Sequence, residues 1–378
     1  MGFPFCNIEY SGAEISNPRG YEYIDNIISF DCQGGLKTRV GTANFQVANI
    51  NNRWTSSFTG SGLKFHIDDS ATAWLGDATI GSAIIFPGFV NEITQTDDTQ
   101  RQLIKVSLVN KIERMLSMMD AKDYGTGSKA SDILKDIITR INGYRKSGEP
   151  AIGIGMIEDT KDPISYAYNY KTVVDILKEL AVKEKTGKGQ YIYYIDTNNN
   201  LVFKPRPSDP VVLTVHEHDF TKFDATYGVF DVVNAVIVNC GKDNDGKTVL
   251  AMGVNYSSVT DIGFRWKYYV QNFTDIYKSY ATATQREYAR VAGRDWANNL
   301  TRLLGYARWR ITATMKGSIY YPNTTVQLVP GDVVTITSPS NWTETKNLRL
   351  QDVKHSYSTK GWITTLQFEE DDITISGV

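Results

Sequence analysis

From Phe3 to about Leu116, apolar residues come in short alternations broken by turn-forming clusters. Ala43-Asn44-Phe45-Gln46-Val47, Leu63-Lys64-Phe65-His66-Ile67 and Leu103 to Val109 are examples. A period of two puts one side of a strand against a core. Strands spaced by Asn, Asp, Gly and Ser predict a β-sandwich or barrel-like unit. The period changes after Tyr124-Gly125-Thr126-Gly127. Ser128 is placed to cap a helix with the apolar stripe Ile133, Leu134, Ile137, Ile138 and Ile141, stopped by Asn142-Gly143. A second amphipathic helix starts near Thr172, with Asp175 three residues on as in a capping box, and carries Val173, Ile176, Leu177 and Leu180. Tyr191 to Ile195 and Leu201 to Pro205, joined by Asp196-Thr197-Asn198-Asn199-Asn200, predict a β-hairpin. Pro205, Pro207 and Pro210 then interrupt any ladder.

Val232 to Val238 and Thr248 to Val254 predict a further strand pair. A helix follows from about Ala283 to Leu304, ended by Gly305. Tyr288, Ala292, Trp296 and Leu300 share one side of it, and Ala289, Gly293 and Ala297 keep the neighbouring side thin. The rest is strand again: Arg308 to Met315, Thr325 to Val329, Val333 to Thr337, and a hairpin of Leu348 to Tyr357 with Trp362 to Phe368. The reading is an α+β chain, mainly β, in three parts. Residues 1–118 form a first β domain, 119–222 a mixed α/β domain, and 223–378 a second β domain with an inserted helix.

Composition sharpens this reading. The 378 residues suffice for two or three domains, and 41% hydrophobic with 22% charged residues excludes disordered or low-complexity material. The 22 Tyr, 15 Phe and 7 Trp favour strands. Forty basic against 42 acidic residues give a net charge of −2, which offers no field to draw the chain onto nucleic acid or an anionic membrane. The longest apolar stretch, Ala83 to Val90, is broken by Pro87 and Gly88, and no signal peptide opens the chain, so membrane insertion is not expected. Met1-Gly2 has Cys6 where a myristoylation signal requires Ser or Thr. Three widely spaced cysteines, Cys6, Cys32 and Cys240, predict buried or inert thiols and no disulfide framework.

The candidate chemistry is thin. Gly241-Lys242-Asp243-Asn244-Asp245-Gly246-Lys247-Thr248 fits the phosphate-loop pattern, but that site needs a helix to begin at its Lys-Thr end. Thr248 to Val254 has no helical stripe, so a hairpin turn tipped by Asn244-Asp245-Gly246 is expected. Gly153-Ile154-Gly155 opens a dinucleotide fingerprint that Glu158 fails to complete. His216 and His218 would project from one side of a strand beside Glu217 and Asp219, short of a complete zinc set. The Asp196 turn starts like a calcium loop but has Leu201 at the glycine position and Pro207 at the last ligand position. No nucleophile elbow occurs. Adjacent acids such as Asp68-Asp69, Asp97-Asp98 and Glu369-Glu370-Asp371-Asp372 point to opposite sides of a strand. No cofactor, metal site or enzymatic activity is expected.

Several phrases in order are similar to the baseplate hub proteins of tailed phages, the late control protein D family of contractile injection systems. Ile84-Ile85-Phe86-Pro87-Gly88-Phe89-Val90 followed by Ile104 to Val109 resembles its first tube domain, and Thr172 to Pro205 its middle domain. Asp231-Val232-Val233-Asn234, the Ala-rich helix, Pro330-Gly331-Asp332-Val333-Val334 and the last hairpin resemble its second tube domain. The stretch Lys183 to Gln190 is longer than that family's usual link.

The resemblance implies two barrel-like tube domains per chain and a homotrimer that forms a pseudo-sixfold ring between the tail tube and the central spike. It implies tail tube, spike and tape measure proteins as partners, DNA as passing cargo only, and a place in the virion tail after synthesis in the host cytoplasm. A cell-wall-degrading or carbohydrate-binding tail component is the alternative, motivated by the aromatic surplus. Sheet edges carry unpaired N–H and C=O groups, so subunits of such a ring are expected to join edge to edge. The last hairpin is the expected joint, with Leu348, Leu350, Val353 and Leu366 as interface residues.

Overall fold

The computed structural model describes residues 5–370 apart from 12–21, 25–26, 37–40, 49–64, 66, 78–80, 99–100, 111–117, 126, 146–150, 161–162, 165, 184–190, 206–212, 230–231, 344 and 359. The fold is mainly β. The first part holds β1 (Phe5–Ser11), β2 (Glu22–Ile24), β3 (Ile27–Gly35), β4 (Thr42–Ala48), β5 (Ser70–Asp77), β6 (Gly81–Asp98) and β7 (Arg101–Val109). Inward residues of the predicted alternations meet in one core that includes Phe30, Phe45, Val47, Leu75, Val106 and Leu108. The alternation ending at Ile67 is not a strand: Phe65 is buried outside any strand and Ile67 lies in a turn, while Leu63, Lys64 and His66 fall outside the described residues. That turn needs the left-handed φ of 69° at Asp68 and is closed by Asp68 N donating to Val90 O.

The middle part runs β8 (Met119–Asp123), β9 (Ser128–Lys129), α1 (Ala130–Gly143), β10 (Pro163–Ile164), β11 (Ala167–Thr172), α2 (Val173–Lys183), β12 (Tyr191–Ile195) and β13 (Leu201–Pro205). Both apolar helix stripes pack into a single core with Tyr191 and Phe203 of the hairpin. Ser128 does not cap α1. It lies in β9 with Oγ donating to Tyr124 O, and the first-turn donor of Ser131 is met instead by Thr160 Oγ1 at 3.2 Å. Thr172 does cap α2, since Asp175 N donates to its Oγ1 at 3.2 Å. Residues 184–190 of the long link and 206–212 of the proline stretch lie outside the described residues.

The last part adds β14 (Thr214–His216), β15 (Lys222–Gly228), β16 (Ala235–Lys242), β17 (Thr248–Val254), α3 (Tyr256–Ile262), β18 (Trp266–Val270), α4 (Thr282–Leu304), β19 (Arg308–Lys316), β20 (Val333–Thr337), β21 (Lys346–Ser358) and β22 (Gly361–Glu370). The inserted helix α4 is one element of a larger insertion, in which the sheet β17-β16-β18 packs on α4 around its own core. The small side of α4 makes this contact: Ala289 and Ala297 are fully buried, and a Cβ on Gly293 would run into Cys240 Sγ. Tyr288, on the side shared with Ala292, Trp296 and Leu300, is half exposed. Thr325 to Val329 forms no strand; Gln327 makes a single bridge to Tyr320.

The two β parts keep separate cores, but among the described residues no sheet closes into a barrel. Among the described residues, one open sheet runs β15-β19-β22-β21-β3-β4-β7-β6-β5-β1-β2, with β20 and β14 branching from β21. The two β parts are fused because β21 pairs antiparallel with β3, from Asp352 opposite Gly35 to Ser358 opposite Ser29. A bulge at Gln351 marks the handover, since β21 pairs with β20 before it and with β3 after it. Trp362, from the last strand, is buried in the core of the first part.

Candidate assembly surfaces

The phosphate-loop candidate is the turn between β16 and β17. Asp243 accepts from the backbone N–H of Asp245 and Lys247 and from Arg286, and Asn244 N donates to Gln285 on α4. Its carboxyl lies below the usual range: desolvation pushes it up, but the Lys247 amide and the Arg286 guanidinium outweigh that. The loop is thus filled by its own carboxylate where a phosphate would sit. Millimolar ATP should leave the melting temperature unchanged in wild type and in Lys247→Ala. A rise lost in the variant would reveal a nucleotide site, because a ligand at a hundred times its Kd stabilises by about 2.7 kcal/mol.

His216 ends β14 and His218 follows in a short 3₁₀ turn, so the two rings do not share a strand face. Glu217 between them is buried and accepts from Ser340 Oγ at 2.6 Å, and Ser338 Oγ also donates to it. Among the described residues no cluster of three or more metal-binding side chains occurs. Asp196 closes its own turn by accepting from the N–H of Asn198 and Asn200. Gly153 bridges to Asn200. Asp69 accepts from Tyr10 OH, and Glu369 faces Arg308 and Arg310 while Glu370 pairs with Lys346. Asp371 and Asp372 lie outside the described residues. Cys6, Cys32 and Cys240 are buried free thiols, and desolvation raises the pKa of each, to about 11 at Cys240.

The expected joining hairpin, β21 and β22, lies inside the sheet. β22 is flanked by β19 and β21, and the other edge of β21 is shared between β20 and β3. Leu348, Leu350, Val353 and Leu366 all lie in the core of the last part, at 9% exposure or less. The reason for expecting a joint there, an open edge, is absent from the described pairing. What this hairpin joins is the two β parts of its own chain. His355, opposite Cys32 at that seam, is buried, with Trp362 Nε1 donating to its Nδ1 at 3.3 Å. A cavity of about 180 Å³ opens beside the seam, between Gly34, Phe86, Tyr194, Val329 and His355.

The terminal strands are the positions left for joining. Among the described residues β15 pairs only with β19. Along it runs a continuous aromatic ladder, with ring centroids 5.7 Å apart for Phe220 and Phe223, 6.2 Å for Phe223 and Trp342, 5.1 Å for Trp342 and Trp309, and 5.2 Å for Trp309 and Tyr227. At the opposite end β2 pairs, among the described residues, only with β1. Three-residue β2 covers β1 only from Ile8 to Tyr10.

No protein-family model and no curated protein matches the sequence. The fold matches solved structures throughout. The 43 kDa tail protein of prophage MuSo2 from Shewanella oneidensis superposes with a TM-score of 0.63 at 11% identity, covering 96% of this chain and 97% of that one. The tail protein from Neisseria meningitidis MC58 gives 0.61 at 13% identity, covering 97% of both chains. Prophage tail protein gp18 from Listeria monocytogenes EGD-e gives 0.50 at 13% identity over 96% of this chain and 94% of that one. The chain therefore has the fold of these phage tail proteins over nearly all of its length, in line with the family its phrases resemble.

Proposed function

We propose that this chain is the hub subunit of a phage-type tail. Three copies close a pseudo-sixfold ring between the tail tube and the central spike, and DNA passes through it. The observation that carries the reading is the β21–β3 seam. One chain already sets two β parts edge to edge in antiparallel register, and its sheet ends on β15 and β2. A ring needs only a second joint of the same kind, between β15 of one copy and the β1–β2 end of the next. Closure would turn open sheets into the barrel-like wall that the sequence suggests. The partners are then the tube, spike and tape measure proteins, and the location is the virion tail, reached from the host cytoplasm without membrane insertion. A net charge of −2 suits a conduit that must not hold DNA. The role is structural and needs neither enzyme chemistry nor a cofactor.

The test is mass in solution, where the reading requires three times the 42.4 kDa of one chain. On an edge strand, one of two neighbouring N–H groups points at the paired strand and the other outward. Ala225→Pro and Thr226→Pro should therefore divide. One should lower the melting temperature, and the other should keep the fold and shift the trimer to monomer. A monomeric wild type at tens of micromolar, or two folded trimeric variants, would remove the β15 joint.

A further inference from the structure

The insertion leaves one side of its sheet bare. Val249 and Ala251 of β17 and Val236 and Val238 of β16 face α4. Strand alternation then places Ile237 of β16, Leu250 and Met252 of β17, and Trp266, Tyr268 and Val270 of β18 on the opposite side. Between Ala235 and Asn239, Leu250 and Val254, and Trp266 and Val270, every position on that side is apolar or aromatic except Asn239. No charged side chain interrupts it. Leu250, Met252, Trp266, Tyr268 and Val270 are each 51 to 70% exposed, and half-exposed Phe264 extends the surface by stacking on Trp266 with centroids 5.3 Å apart.

A fully covered aromatic side chain buries roughly 150–250 Å². With the aliphatic neighbours included, the bare area is on the order of 500 Å². That lies within the range of about 300–600 Å² for the largest patch of a typical monomer, a patch that is often functional. It is more than half of the roughly 800 Å² that each partner contributes to a standard interface. Depletion of charge at the centre of a patch is the signature of an interface core.

The position of the insertion in the fold says what covers this surface. The chain leaves β15 at Gly228 and re-enters the sheet on β19 at Arg308, and these two residues are paired. The insertion is therefore carried by the last two strands of the sheet, next to an edge that has no partner strand among the described residues. Tyr227 and Val229, at the point where the chain leaves β15 for the insertion, are 58% and 45% exposed. We infer that the bare side of the β17-β16-β18 sheet is an interface with the neighbouring copy of this chain. It clasps the subunit that joins at β15, so each joint has two parts, a strand edge and an apolar sheet face. The inference rests on the ring reading above.

Leu250→Glu and Tyr268→Glu put charge at two exposed points of the surface, and Leu250→Thr with Tyr268→Thr remove apolar area while keeping β propensity. Dissociation of the full chain is followed by light scattering over a dilution series, with circular dichroism of each variant. The glutamate variants should fold and dissociate at a concentration at least tenfold higher than wild type, and the threonine pair should fall between. Amides of 250–252 and 266–270 in wild type should lose hydrogen-exchange protection on dilution, which keeps the inference testable if a variant misfolds. A wild-type trimer whose variants dissociate at the same concentration, with these amides equally exposed in trimer and monomer, would overturn the clasp and leave the ring intact. The surface would then belong to a different protein. A wild type that is monomeric throughout would overturn both.

Discussion

The stability of the fold should fall by about 3 kcal/mol between pH 6.5 and pH 4 through His355 alone. Burial lowers the pKa of this imidazole from 6.5 to about 4. The ring is held among neutral partners, with Nδ1 3.3 Å from Trp362 Nε1 and 3.0 Å from Thr364 Oγ1. The sign follows from linkage. Above pH 6.5 both folded and unfolded states hold the ring neutral. Between 6.5 and about 4 only the unfolded state takes up the proton, and stability drops; below about 4 both are protonated and the loss levels off. At 1.36 kcal/mol per pKa unit this is about 3 kcal/mol. Other groups titrate too: the hydroxyls of Ser338 and Ser340 hold Glu217 below its ordinary pKa, and that contribution is lost at lower pH. The measurement is therefore the difference in urea unfolding free energy between wild type and His355→Asn, which keeps a polar atom near the Nδ1 position. The difference should shrink by about 3 kcal/mol from pH 7 to pH 4; a constant difference would show that His355 titrates normally in the folded chain.

Local grammar made the middle part legible. Two helical stripes and a turn of Asp and Asn residues specify elements whose partners lie within a few tens of residues, and Tyr191 duly stacks on Phe203 at 4.7 Å. The start of α1 is less local: the nearest hydroxyl, Ser128, does not cap it, and the acceptor comes from Thr160, 29 residues beyond Ser131. The seam was not legible at all. β3 and β21 are joined by contacts such as Gln33 Nε2 to Asp352 at 3.5 Å, 319 residues apart, and no periodicity encodes a pairing across that separation.

The assembly surfaces show the same division. Position at the end of the chain does not put the last hairpin at an edge, because chain order does not fix sheet order: β19 and β3 flank it on both sides. The bare side of the insertion did leave a signal. Thr248 to Val254 alternates Leu250 and Met252 with Val249 and Ala251, so the strand is apolar on both sides, the pattern of a strand covered twice. Among the described residues α4 covers one of these sides, and the other is exposed at Leu250 and Met252.

Gly35→Val should cost the fold about 3 kcal/mol and open the seam between the two β parts. Gly35 is buried at the end of β3, opposite Asp352 and next to the Gln351 bulge, where Leu36 N donates to Gln351 O at 2.7 Å. A Cβ there would collide with Gln351 O and with the backbone of Asp352, and neither can swing aside as a flexible side-chain end would. Overpacking of this kind typically costs 1–3 kcal/mol, and β-branching at an enforced backbone contact places valine near the top of that range. The strands must separate to admit it, so the damage should be directional. Hydrogen exchange should rise first along 29–35 and 352–358, while the middle part, with its separate core, keeps its protection. Gly34→Val is the control. It occupies the adjacent position, opposite Val353, and a Cβ on Gly34 meets nothing within 4 Å. It should cost less than half as much and leave the seam protected. Equal losses from the two variants, or a loss spread evenly over all parts, would mean that the close approach at Gly35 does not hold the seam together.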